Sequence, residues 1–302
     1  MKKLSIIIVT YNSEKDIYDC IDAIRKYADI ESEELELIVV DNNSPQCEQM
    51  FATITQRYGN IITLVKNTCN GGYGQGNNIG IRMAQAPYLM IMNPDVRLTH
   101  PMMKKVLAYM DSHPQTGIYG MKQLLGNGSM SLNSFNCTHH MNGYLRIVLT
   151  AIANRTGWFW PSCMYVSGSC FIIRKKEFET AGLFDETIFM YGEEDDIFMR
   201  MKNLGMKTFF DRHSRYAHLT DNRPLNFETE KKVIESVIKI NEKHGWSADR
   251  TLKNAIRETN MLLWREHISK ALGKDHGTTE FWQQWRNYLR QRRKDVYSQG
   301  LS

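Results

Sequence analysis

The chain has 302 residues, 42% apolar and 24% charged, which excludes a disordered or collagen-like chain and leaves length for a sizeable core in one or two domains. Lys and Arg number 38 against 33 Asp and Glu, and a formal charge of +5 is too small to imply a nucleic-acid partner. The six cysteines show no CxxC spacing and read as reduced thiols, not as a disulfide frame or a zinc site.

Lys2 and Lys3 precede an apolar run at 4–9. The run is short and lacks a small-residue cleavage site, so it reads as a buried first strand rather than a leader. Ser13 suits an N-cap, with Glu14 and Asp16 in the first helical turn. Further apolar runs follow at 35–40, 61–65 and 88–92, with helical periods between them. Each ends in a polar cluster: Asp41 to Pro45, Asn67 to Gly72, and Asn93-Pro94-Asp95. Strand and helix alternating in this way predict a mostly parallel α/β sheet with ligands beyond the carboxyl ends of its strands. The region 117–160 reads as loops with one helix at 144–153. A strand at 164–173 containing Ser167-Gly168-Ser169, a helix at 193–204 and a strand at 207–210 come next. From Phe227 the pattern is helical to the end. No window of about 18 apolar residues predicts a spanning helix.

Several of these strand ends carry groups suited to chemistry. Thr10-Tyr11-Asn12 could stack on and hydrogen-bond to a nucleobase, or could be a turn with Asn in the left-handed region. Asp41 could accept from a base or ribose, or cap its own turn. Asn70-Gly71-Gly72-Tyr73-Gly74-Gln75-Gly76-Asn77-Asn78 could bring backbone N–H groups to a phosphate. It is neither GxGxxG nor a P-loop, since Asn77-Asn78 stands where Lys and Ser/Thr would be. Asp95 is a natural magnesium or manganese ligand, and Asn93-Pro94-Asp95 also suits a plain type I turn. Glu193-Glu194-Asp195-Asp196 opens a helix, where acids are favoured by the dipole alone but one could be a general base. His218 is a lone histidine after Arg215-Tyr216-Ala217.

Taken in order over about 4–220, these stretches resemble an inverting family 2 glycosyltransferase of the GT-A fold, in the rhamnosyltransferase-like subgroup of bacterial cell-surface polysaccharide synthesis. The resemblance rests on IIIVTYN from Ile6, VVDNNS from Val39, NGGYGQGNNIGI from Asn70, LMIMNPDV from Leu89, VSGSCFIIR from Val166, residues 182–200 and Tyr216 to His218. It implies that Thr10, Tyr11, Asn12 and Asp41 hold the base and ribose of a nucleotide sugar. Asn70, Gly71, Gly72, Gly74 and Asn77 fall beside the donor's phosphates and sugar. Asp95 falls on the last acid of the DxD metal motif, with Asn93 in place of its first, and His218 on a late histidine of the metal shell. Glu194 falls on the general base, with Asp195 as its rival because the family's usual residue there is the shorter Asp.

The implied activity is an inverting transfer from a nucleoside-diphosphate sugar to a saccharide or lipid-linked acceptor, with Mg2+ or Mn2+. The alternatives are a non-catalytic nucleotide-sugar-binding module and a nucleotidyltransferase. The latter would want a basic Gly-rich loop, and residues 10–14 hold neither Gly nor Lys. The expected organisation is a GT-A domain over 1–224 and a helical extension over 225–302, in a cytoplasmic protein. On the last helix Phe281, Trp285, Tyr288 and Leu289 share a face. That face suits its own domain, a second copy or the inner surface of the cell membrane, where Arg286, Arg290, Arg292, Arg293 and Lys294 would meet anionic lipid.

Overall fold

A computed structural model describes residues 1–219 and 225–298. In chain order these form β1 (Leu4–Thr10), α1 (Ile17–Tyr27), β2 (Leu35–Asp41), α2 (Cys47–Tyr58), β3 (Ile62–Lys66), α3 (Gly72–Met83), β4 (Tyr88–Met92), β5 (Val96–Leu98), α4 (Met103–Ser112), β6 (Thr116–Leu125) and β7 (Phe135–Cys137). They continue with α5 (Gly143–Thr156), β8 (Met164–Val166), β9 (Cys170–Arg174), α6 (Lys175–Thr180), α7 (Glu193–Asn203), β10 (Lys207–His218), α8 (Phe227–Lys243), α9 (Ala248–Ala271) and α10 (Thr279–Ser298). The expected domain boundary after 224 falls at the edge of 220–224, outside the described residues.

One sheet runs in the order β3-β2-β1-β4-β9-β6-β10-β5, and β7 and β8 form a separate ribbon. The first four strands are parallel, as the alternating pattern predicts. β9 is antiparallel to both β4 and β6, and β10 is parallel to β6. Two reversals restore the direction, so β10 runs the same way as β1, β2 and β4. Thr10, Asp41, Asn93 and His218 therefore all arrive at one edge of the sheet.

Both faces are covered, which is why β1 is apolar almost throughout. Ile6 and Ile8 pack with Ile21 of α1, Met50 of α2 and Val106 of α4. Ile7, one position out of phase, packs with Ile81 of α3 and Ile197 of α7.

Four local expectations are corrected. Ser13 does not cap a helix starting beside it. Its hydroxyl donates to the Tyr11 carbonyl, and α1 begins only at Ile17. The ten-residue β6 replaces an expected loop. Its Gly117, Gly120, Lys122 and Gln123 dilute the apolar alternation, and the Gln123 amide is buried in a side-chain network instead. The single strand at 164–173 is two, β8 and β9, parted by Ser167-Gly168-Ser169 as the chain passes from the ribbon to the main sheet. The strand expected at 207–210 continues to His218.

The C-terminal helices build a core of their own. Trp285 and Leu289 of α10 are buried with Ile234 and Ile238 of α8 and Leu252 of α9, and Phe281 and Tyr288 pack against that cluster. Of the three covers that suit the aromatic face, its own domain, a second copy or a membrane, the structure shows the first. Arg292 pairs with Glu235 and Arg293 with Asp249. Among the described residues no helix is long and apolar enough to cross a membrane.

Candidate active site

A cleft of about 690 Å³ opens at the sheet edge where β1, β4 and β10 end. That volume suits a small-molecule ligand. Of the residues singled out in the sequence, Tyr11, Asn70, Gly72, Asn93, Asp95, Glu194 and His218 line it. Thr10, Asn12, Asp41, Gly71, Gly74, Asn77 and Asp195 are not part of its wall.

Thr10 and Asp41 are fully buried one strand apart, paired in register. Asp41 accepts from the Thr10 hydroxyl at 2.9 Å, the Ser44 amide at 2.7 Å and the Ser44 hydroxyl at 2.7 Å. Its carboxylate braces the loop that follows β2. Asn12 is exposed, with φ +52, and its amide donates to Ser44. The neighbouring Asn42, passed over in the sequence, does reach the cleft, held by donation to Gly72 O at 2.8 Å and by the Asn67 amide at 3.0 Å.

Most of the glycine run lies inside α3, with Asn70 and Gly72 at the cleft. A Cβ on Gly76 would stand 2.7 Å from Val9 and 2.8 Å from the Asn42 amide oxygen, so glycine here permits close packing of helix on sheet. Asn77 is buried and donates to Tyr73 O.

Asp95 and His218 meet. The two backbones are joined where Leu219 N donates to Asp95 O, and His218 Nε2 lies 3.3 Å from Asp95 Oδ1. That imidazole nitrogen is buried and makes no hydrogen bond among the described residues. No cluster of three or more His, Cys, Asp and Glu suited to a metal occurs among the described residues.

Glu194 sits in the first turn of α7. Its seat is Gly168, where a Cβ would stand 1.9 Å from Glu194 Oε1. The seat is fixed from three sides. Tyr73 OH of α3 donates to Gly168 O at 2.7 Å, Gln123 of β6 accepts from Ser167 and Ser169, and Tyr216 OH of β10 lies 2.8 Å from Ser169 Oγ. Burial raises the Glu194 carboxyl above the ordinary glutamate value. Its own backbone amide opposes this and the Asp195 charge adds to it. Glu193, also in the cleft, is raised by burial and by the charge of Glu194. Gly168→Ala should leave the fold intact, because the atoms in its way belong to the Glu194 side chain from Cγ outward and not to backbone. Turnover should fall by about 10²-fold from misplacing the carboxylate. Steady-state kinetics beside a thermal melt checks this; an unchanged kcat would show that the seat is not needed.

Asp195 points elsewhere. Its Oδ2 accepts from the His139 amide and from His139 Nδ1, both at 2.8 Å. His139 lines the cleft, and its Nε2 lies 3.0 Å from Arg146 Nη2, whose other arm reaches Glu258 of α9 at 2.7 Å. Asp196 is buried and bound by Arg200, Lys243 and His244. Burial alone would raise it, but these donors hold it well below the usual carboxylate range. Removing a buried partner of this kind costs about 3–5 kcal/mol. Asp196→Ala should therefore lower the unfolding free energy by that much, measured by urea titration near pH 7. The contribution is complete above the unfolded carboxyl value of about 3.8 and is lost as pH falls through the lower native value. A loss below 1 kcal/mol, or one unchanged in acid, would show that the pairs are dispensable.

The family model for glycosyl transferase family 2 matches residues 5–182. The poly(ribitol-phosphate) beta-N-acetylglucosaminyltransferase TarS of Staphylococcus aureus is 29% identical over 116 residues, covering 37% of this chain and 20% of TarS. The low-salt glycan biosynthesis hexosyltransferase Agl10 of Haloferax volcanii is 27% identical over 204 residues, covering 66% of this chain and 61% of Agl10. The chain thus spans about a fifth of one curated relative and under two thirds of the other. In structure it resembles TarS 1–349 in complex with UDP-GlcNAc, with a TM-score of 0.55 at 17% identity over 86% of this chain and 71% of that one. It also resembles the mannosyltransferase PcManGT of Pyrobaculum calidifontis in complex with GDP-Man and Mn2+, with a TM-score of 0.57 at 12% identity over 86% and 64%. These likenesses establish the GT-A fold. None of them bears on the rhamnosyltransferase-like subgroup.

Proposed function

The chain belongs to glycosyl transferase family 2, and from that premise we propose that it moves a sugar, with inversion, from a nucleoside-diphosphate sugar to a hydroxyl of a saccharide or lipid-linked saccharide in surface-polysaccharide synthesis. The observation that carries this is a single cleft holding both the Asp95–His218 pair and the partly desolvated Glu194 carboxylate. A binding module without catalysis would have no use for a seated, desolvated acid.

In this reading Glu194 takes the proton of the acceptor hydroxyl as that oxygen bonds to the anomeric carbon. The bond from that carbon to the diphosphate oxygen breaks, and the nucleoside diphosphate leaves with the electron pair. One displacement inverts the centre. A retaining route through a glycosyl-enzyme would need a second ionised carboxylate in reach. Burial, with the neighbouring Glu194 charge, raises the Glu193 carboxyl, and Asp195 is bound to His139. We assign Glu194 as the base because it is the acid seated against Gly168 at the cleft, with Asp195 positioning His139.

The residues at the cleft fit a divalent cation. His218 Nε2 is a buried ring nitrogen with no hydrogen bond among the described residues, 3.3 Å from a carboxylate oxygen of Asp95. Asp95 and His218 would hold the ion, with the diphosphate and water completing its shell. When bound, the ion supplies Lewis-acid neutralisation of the leaving diphosphate. The other residues act on their own account. Tyr11 offers an exposed ring for a base, and Asn42, Asn70 and Asn93 offer amides to the donor's polar groups. The cytoplasm is the compartment that supplies such donors.

The test is the anomeric configuration of the transferred sugar, read from the proton coupling constant of the product by NMR. UDP, the nucleotide of the TarS complex, is the first donor nucleotide to try. Retention of configuration would refute the single displacement.

A further inference from the structure

A second cavity, of about 240 Å³, lies inside the C-terminal helices. It adjoins the first, because His139, Val233 and Val237 line both. Its walls mix two kinds of group. Trp282 and Trp285 of α10 contribute indole rings, and Glu230 of α8, with the Arg146–Glu258 pair, contributes charge.

One polar group there lacks a partner: the indole N–H of Trp282 is buried with no hydrogen bond among the described residues. Glu230 is half-buried on the cavity wall, and burial raises its carboxyl. A lipid tail or a dry void would leave the indole N–H unsatisfied. A ligand with hydroxyls on its rim and C–H groups on its faces would accept from that N–H, donate to Glu230 and stack on the indoles. That is the chemistry of a neutral pyranose. The cavity, of about 240 Å³, has room for such a ring.

We propose that this cavity is an acceptor subsite, which holds one pyranose unit of a saccharide acceptor next to the unit whose hydroxyl reacts. The proposal rests on the reading of Glu194 as the base toward that hydroxyl. His139 stands between the two cavities, fixed by Asp195 on one side and by Arg146 on the other. It would mark the linkage between the two acceptor sugars. The helical extension then selects acceptors by their length.

The test uses the full chain labelled with 5-fluorotryptophan. Its six tryptophans give six fluorine lines, and the Trp282 line is assigned by its loss in Trp282→Phe. The probes are methyl β-glycosides of glucose, galactose and N-acetylglucosamine and the β-linked disaccharide of each. They are titrated with and without UDP and Mn2+, and UDP affinity is measured separately by calorimetry. A disaccharide should shift the Trp282 line at millimolar concentration, more strongly than its monosaccharide. Glu230→Gln should weaken that response about tenfold, the loss of one charge-assisted hydrogen bond. The proposal is overturned if no saccharide moves the line, or if only dodecyl phosphate does, which would make the cavity a lipid site. A chain that ignores UDP refutes the donor reading instead, while the saccharide response still decides the subsite.

Discussion

Glu194→Gln is expected to lower turnover by about 10²–10⁴-fold, the usual worth of a positioned general base. The amide keeps the size of the side chain and removes its capacity to take a proton. UDP affinity should hold, because the base acts on the acceptor. The pH profile adds an independent reading. Burial raises the Glu194 carboxyl, so the acid limb of kcat/KM should lie above the ordinary glutamate value of 4.5. Activity should be full above that limb and fall as pH drops through it, since only the ionised form accepts a proton. Because Glu193 and Glu194 influence one another, the limb reports the pair. Glu193→Gln removes the neighbouring acid and should leave a single simple titration. Asp195→Asn should act differently: it disturbs His139, so its effect should fall on acceptor KM more than on the position of the limb. If Asp195→Asn abolishes turnover and Glu194→Gln does not, the base has been assigned one position too early.

How far the residues alone foretell this site depends on what each position asks of them. Asp95 is legible as a reactive type at the end of an apolar run, where an α/β sheet presents its ligands; Glu194 is legible as an acid opening a helix, and His218 through the resemblance. Thr10 and Asp41 satisfy the same description as Asp95, and in the structure they are buried and bonded to one another. A turn aspartate beside Ser44 can close on its own loop, and nothing in the spacing separates that outcome from a ribose contact. The glycines of α3 are ambiguous in a related way, since close approach to a phosphate and close approach of helix to sheet select the same residue.

His139 is harder still. It stands 56 positions from Asp195, beyond a two-stranded ribbon with three residues to a strand. Only the tertiary path brings it to the cleft. Gly168 leaves a faint trace, since a glycine between two serines interrupts an apolar run, and the interruption marks the seat of the base. The aromatic face of α10 is legible as a face but not as to what covers it. Periodicity fixes the side of a helix that seeks cover, while α8 and α9 supply that cover from elsewhere in the chain.

The extension is also tied to the base-bearing helix. Lys243 and His244, at the end of α8, bind Asp196 one turn into α7, and Glu258 of α9 reaches the same helix through Arg146, His139 and Asp195. The elements that would choose the acceptor thus hold the helix that would activate it.

Asp95→Ala should uncouple nucleotide binding from the metal. Among the described residues two protein groups, Asp95 Oδ1 and His218 Nε2, converge at the proposed ion, and no cluster of three metal-ligating side chains occurs there. The protein alone should therefore hold Mn2+ weakly. A diphosphate supplies further oxygens, so UDP should tighten Mn2+ binding and Mn2+ should tighten UDP binding by the same factor. Manganese EPR measures the first and calorimetry with and without chelator the second. In Asp95→Ala both effects should vanish together, leaving a weak, chelator-insensitive affinity for UDP. Turnover should drop by at least about 10²-fold, because several kcal/mol of charge neutralisation are lost and each 1.4 kcal/mol is a factor of ten. The two measurements discriminate between roles for the same carboxylate. If Asp95 only caps its turn, alanine should lower the melting temperature and leave the reciprocal coupling intact. If it holds the ion, the coupling disappears at a nearly unchanged melting temperature, and His218→Ala should weaken the coupling in the same direction.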